Sequence, residues 1–217
     1  MGVKERKARE FKRREDDILK TAYRLLTELE PSQMTMEQIA EQAEIGRGTI
    51  YKHFASKNEI YARLIINRRE RLIDRLQRIE QEGIERIPRL MRSYMEYCLE
   101  DREAYEVHKR CDSHCIRKEL GEDLQEALRE QQERKTALIR KILLKALGKE
   151  ISDTEDLIYY ICSVWGMQKG AIDAFVENRF EGVHLEEDRY FRIVEQTFYN
   201  GIPVMLRPDL PLKSGDT

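Results

Sequence analysis

Residues 35–61 read TMEQIAEQAEIGRGTIYKHFASKNEIY. Thr35 followed three residues later by Gln38 is a capping box, so a helix is expected to start at Met36 and run to about Ala43. Glu44-Ile45-Gly46 then reads as a three-residue turn, with Gly46 expected to supply the backbone freedom of a sharp corner. A short helix follows over 47–54, and Ser56 with Glu59 makes a second capping box that opens a long helix reaching about Gln81. Ile39, Ala40 and Ala43 fall on one face of the first of these helices; Ile45, Ile50 and Phe54 fall on the matching face after the turn. Small Ala40 lets the two helices approach closely. The outward face of the short helix is then Arg47, Gly48, Thr49, Tyr51, Lys52 and His53, which are donors and one aromatic with no carboxylate among them. A short helix with that face suits a major groove, where it meets base edges and phosphates.

Upstream, Phe11, Ile18, Ala22, Leu25 and Leu29 mark one face of a first helix that ends before Pro31. Residues 1–14 hold seven basic residues against two acidic ones, an excess of five positive charges on a chain whose formal net charge is −2. The remainder therefore carries an excess of seven negative charges. A basic arm on an acidic protein is what a phosphate backbone attracts, although a solvated terminus reads the same way in isolation. Hydrophobic residues at 41 % supply a core beneath a surface rich in charge, and 5 Pro with 11 Gly argue against extended loops. No apolar run reaches about 18 residues, so no membrane segment is expected. The basic start lacks the apolar stretch of a secretory signal, and four Cys without framework spacing suit a reducing cytoplasm.

Downstream, helical spacing continues over about 84–100, 102–111, 118–147, 153–178 and 186–201, and no stretch alternates like a strand. Gly83 and Pro88 punctuate one connection, Gly148 closes a helix, and Ser152 with Glu155 opens the next. The fold class expected is all-α: an N-terminal three-helix helix-turn-helix domain over 1–57 and a C-terminal helical bundle over 58–202. A mobile tail over 203–217, with Pro203, Pro208 and Pro211, completes the division. Gly166, Gly170 and Ala174 lie four apart, a small-residue stripe that admits another backbone, either a partner's or a neighbouring helix of the same chain.

The string Gly48-Thr49-Ile50-Tyr51-Lys52-His53-Phe54, with Ser56-Lys57 after it and Ile39-Ala40, Ala43 and Gly46 before it, closely resembles the DNA-binding domain of the tetracycline-repressor (TetR/AcrR) family. The resemblance is strong over about residues 12–64. It implies that Thr35 touches phosphate through its hydroxyl and N–H, that Arg47, Thr49 and Lys52 reach bases or the groove wall, and that Gly48 lies within this face. Tyr51 and His53 would hold phosphates, Lys57 would meet the DNA backbone, and the basic arm with Arg13 and Arg14 would follow the adjacent groove. For Tyr51 and His53 the alternative is packing against the first helix. Many relatives carry Ser at or beside the position of Arg47, where this chain has Gly-Arg-Gly, so base preference does not transfer.

The same resemblance places the helix of Gly166, Gly170 and Ala174, with Phe191, Val194 and Phe198 of the next, in a homodimer interface. It also places a small-molecule cavity in the middle helices, where Tyr94, Tyr97, Cys98, Tyr105, His108 and Trp165 are candidates to line it, with plain core packing as the alternative. A lipophilic or acyl-type ligand would suit such a lining. Cys111, His114 and Cys115, one turn from His108, admit a metal- or thiol-sensing role or simple burial; their spacing matches no closed zinc module, and no metal or cofactor is expected. The implied function is a cytoplasmic regulator released from a palindromic operator on double-stranded DNA by a ligand. The alternative is a helix-turn-helix protein of structural or cell-organisation type without an inducer. Catalysis is not expected, since no phosphate loop, nucleophile elbow or metal-hydrolase motif is present.

Overall fold

A computed structural model describes residues 2–82, 87–147 and 155–205. Gly83, Gly148, the Ser152 capping box and the tail beyond Met205 lie outside the described residues. Within them the chain is all-α, with nine α-helices: α1 Val3–Glu28, α2 Met36–Gln42, α3 Arg47–His53, α4 Lys57–Glu82, α5 Ile87–Leu99, α6 Arg102–His114, α7 Glu122–Leu147, α8 Glu155–Val176 and α9 Glu187–Met205. A single 3-10 turn, Arg117–Glu119, precedes α7.

The structure differs from the sequence reading at both ends. The basic arm is no separate strand of chain: α1 begins at Val3, because Lys, Arg, Glu and Ala after Gly2 are all strong helix formers with no breaker among them. α9 continues past Pro203 to Met205.

Two compact units form. One comprises 1–71 with 101–132, the other 72–100 with 133–217, so α4 and α7 each contribute to both. The units thus part within two helices rather than at a single point after residue 57. In the first unit Ile18, Ala22 and Leu26 of α1 pack with Ile39, Ala40, Ile50, Phe54 and Ile65, all at most 3 % exposed. Val107 and Cys111 of α6 and Leu124 and Leu128 of α7 join this core. Burying each Ile, Leu, Val or Phe side chain among them contributes on the order of 1.5–3 kcal/mol. Asn58, at the start of α4, fixes the chain after α6: its amide donates to Ile116 O and accepts from Ile116 N–H, both at 2.8 Å.

The second unit has its own core, built from Leu72, Leu76 and Ile79 of α4, Leu90 and Met91 of α5, Ile142 and Leu143 of α7, Leu157 and Ile161 of α8, and Phe198 of α9. A bidentate pair, Arg92 to Glu195 at 2.7 and 2.8 Å, ties α5 to α9. No helix of the described residues is long and apolar enough to cross a membrane.

Candidate nucleic-acid interface

The corner between α2 and α3 is closed by backbone geometry. Ile45 N–H bonds to Ala40 O at 2.9 Å and Glu44 N–H to Glu41 O at 3.0 Å, the paired bonds of a Schellman motif. The left-handed residue that this motif requires is Glu44, with φ 53°. Gly46, expected to supply that freedom, is extended at φ −66° and caps α3 instead. Its hydrogen is not demanded by space either, since a Cβ there would meet only Thr49 Oγ1 at an ordinary 3.8 Å.

At the start of α2 the capping box forms as read. Thr35 Oγ1 accepts from Gln38 N–H at 3.2 Å, and Thr35 N–H donates to Gln38 Oε1 at 2.8 Å. The hydroxyl and the N–H expected to meet phosphate are therefore both engaged by Gln38 in the free protein. The second box is looser: Glu59 N–H donates to Ser56 Oγ at 3.3 Å, while the Glu59 carboxylate accepts from Ala55 N–H at 2.8 Å.

On α3, Ile50 is fully buried, while Gly48, Tyr51 and Lys52 are exposed and Thr49 half-buried. Arg47 projects with its side chain 73 % exposed, yet it is not free: its guanidinium meets Glu37 of α2 at 2.6 Å. Glu37 is a participant that the sequence reading missed. A carboxylate on α2 belongs to another helix face, and only the folded corner brings it to Arg47. Lys52 and His53 occupy the last turn of α3, where cations favour the negative helix end.

Two expected contacts acquire a structural role. His53 packs against Phe11 of α1 with ring centroids 4.0 Å apart and the planes tilted by 34°, and its Nδ1 is buried without a hydrogen-bond partner. Of the two readings for His53, packing against α1 is the one that the geometry supports. Phe11 itself remains 47 % exposed, so it covers His53 rather than entering the core. The Lys57 ammonium donates to Pro31 O, Ser32 O and Met34 O at 3.1, 3.4 and 3.2 Å, and Tyr61 donates to Pro31 O at 2.6 Å. Together they hold the α1–α2 loop. Arg13 is exposed and Arg14 half-buried on the helical extension.

The residues proposed to line a ligand cavity divide between the units. Tyr94 and Trp165 line an apolar cavity of about 70 Å3 in the second unit, with Leu72, Leu76, Ile139 and Val164. Tyr97 packs beside that core and Cys98 is buried. Tyr105 and His108 lie in the first unit, so they take no part in this cavity. Burial, foremost, and then the neighbouring Cys98 push the Tyr94 hydroxyl far above its ordinary range, with Trp165 donating to it in opposition. Tyr160, also on the lining, is pushed up to about 12 by burial, and its hydroxyl has no hydrogen-bond partner. Lys135 reaches over the Trp165 ring at 5.6 Å.

The Cys111 thiol sits in the first core, where burial pushes its pKa up to about 12, so it is protonated and unreactive near neutrality. His114 is exposed with Nδ1 at 2.9 Å from Arg110 O. Among the described residues no group of three or more His, Cys, Asp or Glu could hold a metal ion.

For the dimer face the outcome is mixed. A Cβ at Gly166 or Gly170 would meet nothing within 4 Å, so the stripe opens to solvent rather than to a helix of the same chain. Phe191 and Phe198 are buried within their own unit, the first against Phe175 and Tyr190, and Val194 packs on that core. The large apolar groups that α8 and α9 leave exposed are instead Ile158, Tyr159, Trp165, Met167 and Ile193.

Two short helices joined at a Schellman corner, the second with a donor-rich outer face, define a helix-turn-helix DNA-binding domain of a transcriptional regulator. Residues 18–64 match the family described as bacterial regulatory proteins, tetR family. No curated protein sequence matches it. Solved structures share its fold. The regulator FadR of Bacillus subtilis, in complex with stearoyl-CoA, is 18 % identical with a TM-score of 0.64, over 85 % of this chain and 97 % of that one. The fatty acid degradation regulator FadR of Bacillus halodurans is 17 % identical with a TM-score of 0.64, over 86 % and 98 %. The TetR-family regulator PfmR of Thermus thermophilus is 18 % identical with a TM-score of 0.58, over 88 % and 97 %.

Proposed function

We propose that the chain binds a palindromic operator as a homodimer, with Arg47, Gly48, Thr49, Tyr51 and Lys52 of α3 facing the major groove, and that a lipophilic ligand in the second unit releases it. The observation that carries this reading is the outer face of α3, where every exposed side chain is a donor or an aromatic. The Arg47–Glu37 pair is no obstacle: an exposed ion pair is worth about 0–1 kcal/mol, so a guanine edge or a phosphate competes for the guanidinium. Thr35 reaches phosphate when Gln38 yields it. Lys57 acts by holding the loop, and Arg13 and Arg14 contribute phosphate contacts from α1.

Dimerisation follows from size. One recognition helix buries too little surface for a specific site, whereas two copies read two half-sites. The open stripe of Gly166 and Gly170, flanked by exposed Met167, supports α8 as the surface that joins them.

An apolar lining around Tyr94 and Trp165 suits an acyl chain or a comparable lipophilic body, the chemistry that FadR of Bacillus subtilis receives as stearoyl-CoA. At about 70 Å3 the cavity falls below the roughly 300–1,000 Å3 of drug-sized sites. Such a ligand must therefore part α4, α5, α7 and α8, and this difference between empty and filled states is what allows it to shift an equilibrium. Leu72 and Leu76 line the cavity on the helix that starts beside α3, which offers a route to the DNA face. The smallness of the cavity also favours a second reading, a DNA-binding protein of structural type with no inducer. Catalysis forms no part of either reading.

The contacts are tested by salt-dependent binding to a selected operator. Lys52→Ala is expected to lower specific affinity by about 1–3 kcal/mol. Arg13→Ala should weaken binding to all sequences alike and flatten the salt dependence by about one phosphate contact. Unchanged operator binding in both variants contradicts the assignment.

A further inference from the structure

The first unit holds a cleft that the DNA-facing reading leaves unused. It measures about 470 Å3 and opens between α1, α4 and α6, every wall of it inside that unit. Its floor is apolar, formed by Leu19, Ala104 and Val107, all buried, with Leu64 half-buried beside them. Its rim is charged: Lys20 on α1 and Arg68 and Arg71 on α4 stand against Asp16 and Asp101. Asp101 is already answered, since it caps α6 and accepts from Ala104 N–H at 2.8 Å, where the helix end carries positive partial charge. The α4 side of the lining, Leu64, Asn67, Arg68 and Arg71, carries two cations and no carboxylate. Tyr23 stands between the two signs. Its hydroxyl is pushed upward by burial, then by Asp101 and Glu103, and drawn back by Arg68 and Arg71.

We propose that this cleft binds an amphipathic organic anion, with a ring-sized apolar body on Leu19, Leu64 and Val107 and a carboxylate or sulfonate at Arg68 and Arg71. The volume lies within the range of small-molecule sites, which combine an apolar lining with a few polar groups that fix orientation. Residues 68 and 71 are three apart on one helix and so share a face. Two guanidinium groups so placed offer planar pairs of donors to a single oxyanion, a stronger arrangement than isolated ammonium groups. The occupant touches both α1 and α4, the helices whose other sides pack the helix-turn-helix core through Ile18 and Ile65. On the proposed function, binding here biases the DNA-facing domain, and by linkage DNA changes the affinity of the cleft by the same factor.

The test uses the full chain and anilinonaphthalene sulfonate as probe, with uncharged anilinonaphthalene as the comparison. The chain has four histidines, His53, His108, His114 and His184, and only His108 lines the cleft. Imidazole proton resonances, with His108 assigned from His108→Gln, report directly where the probe sits. The expected result is a saturable shift of His108 alone, produced by the sulfonate and not by the uncharged compound. Arg68→Glu and Arg71→Glu should each weaken it by about tenfold with unchanged thermal unfolding. A His108 resonance that does not move at saturation, equal movement of all four rings, or full affinity in both charge-reversal variants overturns the proposal. Because the readout contains no DNA, a shifted His108 in a chain that binds no operator retains the cleft and removes the DNA reading; operator binding with a silent His108 does the reverse.

Discussion

Glu44 illustrates how a single residue can be misread when its neighbour looks more suitable. The sequence places Gly46 at the corner, and glycine is the ordinary donor of left-handed backbone. The folded chain puts Glu44 at φ 53° and leaves Gly46 extended. A non-glycine residue in that region costs about 1–2 kcal/mol, and the Glu44 side chain is exposed. Glu44→Gly is therefore expected to raise the free energy of unfolding in denaturant by about 1 kcal/mol, with operator affinity little changed. A loss of stability would show that the corner depends on the glutamate itself. His53 and Lys57 teach a related lesson. Their residue types suit phosphate, but type alone says nothing of the Phe11 ring or the three carbonyls that occupy them.

At the scale of the helix, much was legible because the signals are local. Both capping residues, Thr35 and Ser56, and the apolar spacing of Ile39, Ile50 and Phe54 position α2, α3 and α4 within a residue or two. Periodicity was less informative about which element a face meets. Tyr105, His108 and Cys111 lie on a helical face as read, yet α6 turns that face to the first unit, because 3.6-residue spacing identifies an apolar stripe and not its partner. The start of α1 is hard to read from the sequence for a different reason: clustered charge suggests an arm, whereas the same Lys, Arg and Glu residues propagate a helix. Gly48 gives the element-scale prediction. It sits exposed in the first turn of α3 with nothing within 4 Å of a built Cβ, so Gly48→Ala should stabilise the protein by about 0.5–1 kcal/mol. The added methyl lies on the DNA face, so operator affinity should fall while thermal unfolding rises. Equal affinity in the stabilised variant would remove Gly48 from the interface.

At the scale of the whole molecule, the chain divides into two compact units that share α4 and α7, and the solved structures that share its all-α fold extend well beyond the matched residues 18–64. What composition and spacing could not show was the second unit's narrow cavity or which aromatic side chains of α9 are already buried. The open glycine stripe on α8 places the assembly prediction there. On the proposed assembly, Gly170→Arg is expected to convert the dimer to a monomer in sedimentation velocity, leaving each unit folded, because the substituted position faces open space in a single chain. A variant that stays dimeric would move the interface elsewhere. The central claim is that the outer face of α3 reads DNA, and it is met most directly by selection of bound duplexes from a randomised pool, run in parallel with the intact chain and with Lys52→Ala. Enrichment of an inverted repeat with half-sites separated by about one helical turn or a multiple of it is expected for the intact chain, with the preference reduced or relaxed in the variant. A pool that emerges from the intact chain no more ordered than it entered would contradict it.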